Sequence, residues 1–509
     1  MIKTLMSILL LCAVIFSGCA TILSPGSQEI AFKSDKQIIK VSIDSSYAGE
    51  GKDVKFRVEK DFRAKQVTIE SEGYKKENFA FVQDSRSPFY IMSWIPFGIL
   101  LYPPFYDLGP SGWNYDDAYT FNNMIKYPVW NNSQKRVFFG NIAFDIKKAN
   151  HTLNSYSYSD FIDKDTPSKI TNLDSVNFKS TIFEDEIENV LERTQYIDTS
   201  NTVFFDNLNS LVLRCKVTKI SVNDVRRTYV GMIGSSFLQS AISTDWVIED
   251  LYGDTLFVES GNSESGYFAY DLFKGNADKE ITKSIGDAIE VSLLNLMNSP
   301  KISGILKFDS VTTVKFDKLA IKSPGKLPSD IEQAMAATVT VKSLNSHGSG
   351  FLISNDGYII TNHHVVNAKK KYTVLTNDGK EIEATVVRTN KVLDLALLKI
   401  DGDFEYAFKI PESKNYKIGQ SIFAIGTPKS LDLGQSVSKG VVSSLRKYRN
   451  YNYIQSDVSI NRGNSGGPIV SESGELLSIV EWKMFGIGTE GISFSIPAED
   501  VMEALSISY

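Results

Sequence analysis

The sequence predicts a protein of several domains: an N-terminal β module, a middle α+β domain and a C-terminal antiparallel β-barrel domain. Its 509 residues exceed what one hydrophobic core organises, and 42% hydrophobic residues suffice for several cores. Apolar residues recur at helical spacing in the middle region, and Asp-Gly turns punctuate the C-terminal region. The expected divisions are a leader at 1–18, the β module at 19–130, the α+β domain at 131–322, a linker at 323–328 and the barrel domain at 329–509.

The first eighteen residues have the features of an export signal. Lys3 is their one charged residue, an apolar run covers 8–16, and two small residues precede Cys19. The Phe-Ser-Gly-Cys tetrad that ends at Cys19 resembles the bacterial lipobox, which implies cleavage before Cys19, acylation of its thiol and attachment to a membrane. Ala20 replaces the Asp that tends to retain lipoproteins in the inner membrane, so an outer-membrane address is favoured. The alternative is a secretory signal followed by an incidental cysteine.

Charge and cysteine content argue against a nucleic-acid partner and against an intramolecular disulfide. The formal net charge of −6 supplies no basic field for a polyanion, so nucleic acid is not an expected partner. The three cysteines are Cys12, Cys19 and Cys215. Removal of the first with the leader and acylation of the second leave no intramolecular disulfide. Cys215 lies in an apolar strand pattern and is expected to be a small buried residue.

The N-terminal region reads as short strands separated by turns. The segment 19–74 resembles the PEGA-type surface-layer modules of bacterial lipoproteins, although the Pro-Glu-Gly-Ala signature is absent. The stretch 88–106 carries no charge, but Pro96, Pro103 and Pro104 argue against a membrane-spanning helix. We favour buried core, or a hairpin packed on the β module, over an interfacial segment with its aromatic residues at headgroup depth.

The middle region predicts an α+β domain without a chemical motif. Apolar stripes indicate helices at 184–193 and 279–297, and these stripes are expected to be core contacts. Strands are expected at 136–146, 211–220, 244–250 and 256–260. His151 is the only histidine there, and a surface or structural role is the default.

A break in the pattern separates the middle region from the C-terminal domain. Two prolines and a glycine within 323–328 disfavour both helix and strand, which predicts a linker. Ser329 and Glu332 then have the spacing of a capping box for a short helix at 330–336.

The C-terminal region carries the residues that serine-dependent hydrolysis requires: a nucleophile, a base, an acid that orients the base, and donors for an oxyanion. Ser465 lies in the run Asn-Arg-Gly-Asn-Ser-Gly-Gly-Pro at 461–468, where flanking glycines allow a sharp turn and present the amides of Gly463 and Ser465. His364 follows an apolar strand pattern, and Asp394 precedes another. His363 is a weaker candidate for the base, and His347 is expected to be a loop residue.

The same residues carry a family resemblance. Gly-Ser-Gly-Phe at 348–351, Thr-Asn-His-His-Val-Val at 361–366, Asp-Leu-Ala-Leu at 394–397 and Gly-Asn-Ser-Gly-Gly-Pro at 463–468 resemble the HtrA/Deg branch of the chymotrypsin-fold proteases. Four supporting blocks follow in family order at 424–428, 440–443, 454–457 and 491–497. The resemblance implies two six-stranded barrels, a triad of His364, Asp394 and Ser465, and polypeptide substrates. Trimers are common in that family, which makes a homo-oligomer possible here.

Three residues define the expected specificity pocket. Ser459 stands six residues before Ser465, where cleavage after Lys or Arg would call for Asp. Ile460 suggests an apolar pocket, and the resemblance implies small aliphatic P1 residues. Arg462 replaces the usual Pro of the family; it either favours substrates with acidic groups near the scissile bond or is a solvated arginine.

Two further expectations concern substrate access. The strand at 477–480 offers a place for an extended substrate to pair by β-addition. The sequence ends at Tyr509, shortly after the last family block, so no PDZ module is expected.

These observations predict a lipid-anchored serine endopeptidase of the cell envelope, acting through an acyl-enzyme without cofactor or metal. Quality control of misfolded envelope proteins is what the resemblance implies. The alternative is a binding or scaffold lipoprotein with a dormant protease domain, whose function belongs to residues 19–322. A third hypothesis is a protease controlled by its N-terminal domains.

Overall fold

The computed structural model describes the chain in segments. These are residues 26–83, 85–86, 113–146, 151–159, 169–172, 181–197, 209–229, 232–251, 253–270, 277–308, 316–342, 347–366, 372–427, 435–448, 451–461, 463–483 and 491–509. The lipobox at Cys19 and the apolar run 88–106 lie outside the described residues. Among the helices described, none is both long and apolar enough to cross a membrane.

The N-terminal module consists of two small sheets around one core. Its strands are β1 (Ser27–Lys33), β2 (Ile39–Ile43), β3 (Ser46–Gly51), β4 (Asp53–Glu59), β5 (Lys65–Glu70), β6 (Glu77–Phe81), β7 (Ser85–Arg86), β8 (Trp113–Asn114) and β9 (Ala118–Thr120). One sheet has the order β4-β1-β9 and the other β3-β2-β5-β6, while β7 pairs with β8. Alternating apolar residues, such as Ile39, Val41 and Ile43, turn one face of each sheet into the core.

The middle domain is a mixed sheet covered by two helices. Its elements are β10 (Arg136–Phe144), β11 (His151–Ser159), β12 (Lys169–Asn172), α1 (Thr181–Arg193), β13 (Ser210–Tyr229), β14 (Met232–Asp250), β15 (Thr255–Glu264), β16 (Phe268–Ala269) and α2 (Ala277–Met297). The sheet order is β12-β11-β13-β14-β15, with β10 beside β13 and β16 beside β14. The long hairpin of β13 and β14 forms the centre of the sheet.

Helix α2 is buried on several faces because the sheet, α1 and the N-terminal module all pack against it. Ile285 and Ile289 are 0% exposed in the core that the sheet shares with both helices. Ser284 and Ser292 hydrogen-bond the hydroxyls of Ser240 and Thr244 on β14, at 2.6 and 2.8 Å. Buried hydroxyls need such partners, and these pairs fix the helix on the sheet.

The remaining face of α2 contacts the N-terminal module through buried charges. Lys75 Nζ lies 2.5 Å from Asp287 Oδ1 and 3.9 Å from Glu290 Oε2, and the Lys75 side chain is 1% exposed. The amide of Gly266 donates to Asp287 Oδ2 at 2.7 Å. Glu290 also accepts a hydrogen bond from Arg193 on α1, at 3.0 Å. The module and the middle domain are therefore joined by a buried ionic cluster.

The C-terminal domain contains two closed six-stranded antiparallel barrels, as expected for a chymotrypsin-like fold. After β17 (Leu319–Ala320) and the helix α3 (Ile331–Ala336), the first barrel has the order β18-β19-β20-β23-β22-β21. Its strands are β18 (Thr338–Lys342), β19 (His347–Leu352), β20 (Tyr358–Asn362), β21 (Tyr372–Leu375), β22 (Glu381–Asn390) and β23 (Leu395–Lys399).

The second barrel has the order β24-β25-β26-β29-β28-β27. Its strands are β24 (Ser421–Gly426), β25 (Ser436–Tyr448), β26 (Tyr451–Ser456), β27 (Pro468–Val470), β28 (Leu476–Lys483) and β29 (Ser493–Pro497), followed by α4 (Val501–Ala504) and β30 (Ile507–Ser508). Each barrel has its own apolar core, and a third cluster, including Phe351, Phe408 and Phe494, fills the space between the barrels.

The strand that leads into this domain pairs with the last strand described in it. Strand β17 runs parallel to β30, with Leu319 opposite Ile507 and Ala320 opposite Ser508. Ile321 is 4% exposed within the cluster between the barrels. Residues ahead of the predicted linker at 323–328 therefore pack on the barrels.

The cap of α3 differs by one residue from the sequence prediction. Asp330, and not Ser329, has the extended backbone of an N-cap, and its carboxylate accepts the amide hydrogen of Gln333 at 2.8 Å. The reciprocal partner is therefore Gln333 rather than Glu332, and its side-chain amide donates back to Asp330 at 2.9 Å. Asp330 caps the helix because its carboxylate accepts from both the main-chain and the side-chain amide of Gln333.

Candidate active site

His364 and Asp394 meet because their strands are neighbours. Strands β20 and β23 pair antiparallel, with Asn362 opposite Leu395, so the residues just beyond this pair face each other. The Asp394 carbonyl oxygen accepts hydrogen bonds from the His363 amide at 3.0 Å and the Asn362 side chain at 2.9 Å. The barrel thus fixes the backbone on both sides of the pair.

The carboxylate of Asp394 holds His364 at two points. Asp394 Oδ2 lies 2.6 Å from His364 Nδ1, and Oδ1 accepts the His364 amide hydrogen at 2.9 Å. Asp394 is 2% exposed, so water competes little for these bonds. Because the carboxylate only accepts, the proton of the neutral imidazole resides on Nδ1 and Nε2 carries the lone pair.

Ser465 lies on a loop that both barrels hold. The Ser465 carbonyl accepts the Ser349 amide hydrogen of β19 at 2.8 Å, and the next amide, from Gly466, donates to Val480 of β28 at 3.0 Å. Gly466 has φ +83°, and a Cβ there would lie 2.4 Å from the Ser349 carbonyl oxygen and 2.8 Å from the Asn362 nitrogen. Only glycine fits this approach, which places the loop against the strand that leads to His364.

The amides of Gly463 and Ser465 are the two candidate oxyanion donors. Within the described residues neither amide donates to another group. Gly463 has φ +102°, a conformation that favours glycine. Its carbonyl accepts the Ser349 hydroxyl at 2.7 Å, and that hydroxyl accepts the Thr427 amide hydrogen at 3.0 Å. The first barrel therefore fixes the backbone beside the two candidate oxyanion donors.

The three candidate specificity residues have different positions. Ser459 is exposed, whereas Ile460 is 6% exposed and packs in the core of the second barrel with Tyr416 and Val480. Arg462 lies outside the described residues.

The expectation that 477–480 offers a free strand edge is wrong. Strand β28 pairs there with β27 on one side and with β29 on the other. The Val480 amide also donates to Gly467 at 2.9 Å. Further along, Trp482 and Lys483 pair with β29 alone, and among the described residues no strand pairs with their other edge. The unpaired edge of the described strand thus begins at Trp482, two residues after the predicted segment, because 477–480 pairs on both sides to close the barrel.

The other histidines and Cys215 lie in different settings. His347 Nε2 is 3.1 Å from the Thr427 carbonyl oxygen, and burial lowers the pKa of His363. His151 begins β11 of the middle domain. Cys215 is 2% exposed in the middle core, where burial raises the pKa of its thiol. Across the described residues, no group of three or more His, Cys, Asp or Glu side chains could hold a metal ion.

Comparison with known proteins decides the family of the C-terminal region. Residues 348–479 match the family model described as a trypsin-like peptidase domain. The C-terminal domain is a trypsin-like serine peptidase domain of the HtrA/DegP type. The match contains the three predicted triad positions and the strands from β20 to β27.

Relatives of this peptidase domain include proteins named "Probable periplasmic serine endoprotease DegP-like". The protein from Halomonas elongata is 40% identical over 164 residues, which cover 31% of this chain and 34% of that protein. The protein from Pseudomonas putida (strain W619) is 42% identical over 164 residues, with the same coverage of both chains. The match therefore spans about a third of the length of these relatives.

A solved structure also aligns with the peptidase domain. It is the serine endoprotease from Yersinia pestis, at 36% identity and a TM-score of 0.31, over 35% of this chain and 66% of that chain.

Sequence reasoning missed the residues that brace the peptidase site. Asn362 and Ser349 are both 0% exposed, and their side chains bind backbone groups at the Asp394 turn and the Ser465 loop. Both lie inside the motifs that identified the family, at 361–366 and 348–351. Their polarity within otherwise apolar strand patterns was the available signal.

Proposed function

We propose that the protein is a lipid-anchored serine endopeptidase of the cell envelope that cleaves unfolded or exposed polypeptide through an acyl-enzyme. The observation that carries this proposal is the buried pair of His364 and Asp394, 2.6 Å apart, beside the glycine-flanked loop of Ser465. The trypsin-like peptidase domain supports the same chemistry.

In the proposed reaction, Ser465 Oγ attacks the scissile carbonyl carbon while His364 Nε2 takes the hydroxyl proton. Asp394 keeps the imidazole in the required tautomer and stabilises the imidazolium that forms. The amides of Gly463 and Ser465 bind the oxyanion, and His364 returns the proton to the leaving amine as the C–N bond breaks. Water then attacks the ester carbonyl while His364 Nε2 takes its proton. His364 returns that proton to Ser465 Oγ as the acyl–oxygen bond breaks. No step requires a metal or cofactor.

The substrate is an extended segment of polypeptide. Among the described residues, one edge of β28 is unpaired at Trp482 and Lys483, just past Val480, which contacts the Ser465 loop. An extended chain pairs with such an edge through its main chain. Folded proteins would need local opening to supply that segment. Ser459 in place of an acid disfavours cleavage after Lys or Arg, and a small aliphatic P1 residue is the expected preference.

The location rests on the sequence before residue 26 and on the names of relatives. The lipobox ending at Cys19 supports a lipid anchor, and the relatives named as periplasmic support the envelope. We expect wild-type protein to fractionate with outer membranes and to incorporate radiolabelled palmitate. Cys19→Ala should abolish the label, and a label that persists in this variant would reject Cys19 as the acylated residue.

Active-site labelling tests the enzymatic proposal. The mature protein should react with a fluorophosphonate probe and cleave an unfolded casein-like substrate, and Ser465→Ala should abolish both. Ser473→Ala, which changes an exposed serine in the turn after β27, is the matched control and should retain both. If wild-type protein neither labels nor cleaves, the endopeptidase proposal fails and the scaffold alternative is favoured.

A further inference from the structure

Asn390 organises the turn that carries Asp394. It is the last residue of β22 and pairs with Leu395 at the start of β23, so the four intervening residues form the connection. Asn390 Oδ1 accepts the amide hydrogens of Val392 at 3.0 Å and Leu393 at 3.1 Å. One side-chain oxygen thus fixes the two amides just before Asp394, in the manner of an Asx turn.

The conformation of Asp394 requires such support. Its φ is +51°, in the left-handed region that a residue with a Cβ seldom adopts. Such a backbone persists where its surroundings over-determine it. Removal of the Asn390 oxygen would let the turn relax toward right-handed backbone angles. The carboxylate would then move away from His364.

Asn390 is itself anchored on a buried segment. Its side-chain amide donates to the carbonyl of Ala504, the last residue of α4, at 2.8 Å. The next residue, Leu505, is 0% exposed in the cluster between the barrels. Because both ends of the Asn390 amide group are engaged, its orientation is fixed relative to the core.

We propose that Asn390 is a positioning residue that holds Asp394 in the orientation His364 requires. The inference deepens the proposed function and rests on it, since it assigns Asp394 its catalytic role. Asn390 acts through the Asp394 turn and not on the substrate. Its loss should therefore lower kcat and leave KM nearly unchanged.

Three variants of the full mature chain test this role. Asn390→Ala removes both interactions, and we expect kcat to fall about 10- to 100-fold, the effect of a small displacement of a catalytic group. Asn390→Asp keeps an acceptor for Val392 and Leu393 and should recover most of kcat. Arg388→Ala is the matched control, because it removes two bonds to the same C-terminal segment, at 3.0 and 2.7 Å, without touching the turn. It should lower thermal stability and leave kcat near the wild-type value.

A spectroscopic readout separates this inference from the proposed function. The Nδ1 proton of His364, shared with a carboxylate in a short bond, should give a downfield proton resonance that Asn390→Ala loses and Arg388→Ala retains. A wild-type kcat and resonance in Asn390→Ala, or an equal loss of kcat in Arg388→Ala, would overturn the inference. If the wild-type protein is inactive but shows a resonance that Asn390→Ala loses, the positioning role is supported and the endopeptidase proposal is rejected.

Discussion

His364 and Asp394 are joined by two hydrogen bonds, one from the imidazole and one from the main-chain amide, at 2.6 and 2.9 Å. The second bond ties the backbone of the histidine to the carboxylate, so the orientation of the ring relative to Asp394 does not depend on the side-chain torsions alone. This double attachment makes Asp394 the first residue to test.

Asp394→Asn should lower kcat by about 10³- to 10⁴-fold, because the amide would donate toward Nδ1 and move the imidazole proton to Nε2. Steady-state cleavage of an unfolded substrate measures this loss. Asp378→Asn, at an exposed turn of the same barrel, is the control and should retain activity. Retention of more than about a tenth of kcat in Asp394→Asn would contradict the proposed role of the carboxylate.

Gly466→Ala should abolish fluorophosphonate labelling. The new Cβ would lie 2.4 Å from both the Ser349 carbonyl and the Thr361 hydroxyl, so the Ser465 loop must move. Gly379→Ala is a matched control with φ +84°, nearly the same as +83° at Gly466, but open space around its Cβ. We expect it to cost about 1 kcal/mol of stability and to keep labelling. Equal labelling of the two variants would show that the loop tolerates displacement.

Lys75→Met should destabilise the junction between the N-terminal module and the middle domain. It leaves Asp287 and Glu290 buried without their cation, and breaking a buried pair in this way costs about 3–5 kcal/mol. Denaturant unfolding followed by tryptophan fluorescence measures the effect. Lys76→Met removes a lysine whose side chain is 52% exposed, and it should change the midpoint little. Similar midpoints for the two variants would contradict the cluster's importance.

Glu186 should make the stability of the middle domain depend on pH. Burial, followed by the nearby Glu290 carboxylate, raises the pKa of Glu186 to about 6. A raised pKa in the folded state means that protonated Glu186 favours the native protein. This contribution to the free energy of unfolding is full below about pH 4.5 and is lost as the pH rises through 6. Glu186→Gln should therefore stabilise the protein above pH 6, by about 1 kcal/mol after allowance for partial exposure.

Thermal unfolding at pH 5 and pH 8 tests this dependence. Glu186→Gln should raise the transition temperature at pH 8 more than at pH 5. Glu192→Gln, an exposed neighbour on α1, should shift neither. An equal shift of Glu186→Gln at both pH values would reject titration as the cause.

Several features of the peptidase domain could be predicted from the sequence because they are local. Hairpin turns such as 355–357, the strand before His364 and the glycines around Ser465 follow from short-range conformational preferences. The family resemblance of these motifs implied two barrels, which the structure has. The roles assigned to His364, Asp394 and Ser465 stay predictions, although the first two form the expected hydrogen bond.

Long-range pairing escaped prediction because its partners are distant in sequence. Strand β13 extends to Tyr229, well past the expected end at 220. Its outer half is polar, and the buried Asp224 accepts hydrogen bonds there from Tyr270 at 2.5 Å and from Arg226 at 2.6 Å. The free edge after Val480 depends in the same way on barrel closure, which no local pattern reveals.

The parallel pair of Leu319–Ala320 with Ile507–Ser508 sets an order of events during synthesis. The first strand leaves the ribosome long before its partner exists, because almost the whole peptidase domain lies between them. Both barrels can collapse in that interval, but the segment that anchors Asn390 beside Asp394 cannot yet be seated. A chain that has emerged only as far as β29 would therefore lack the anchor of Asn390, so the proposed positioning of Asp394 depends on a contact that forms late in synthesis.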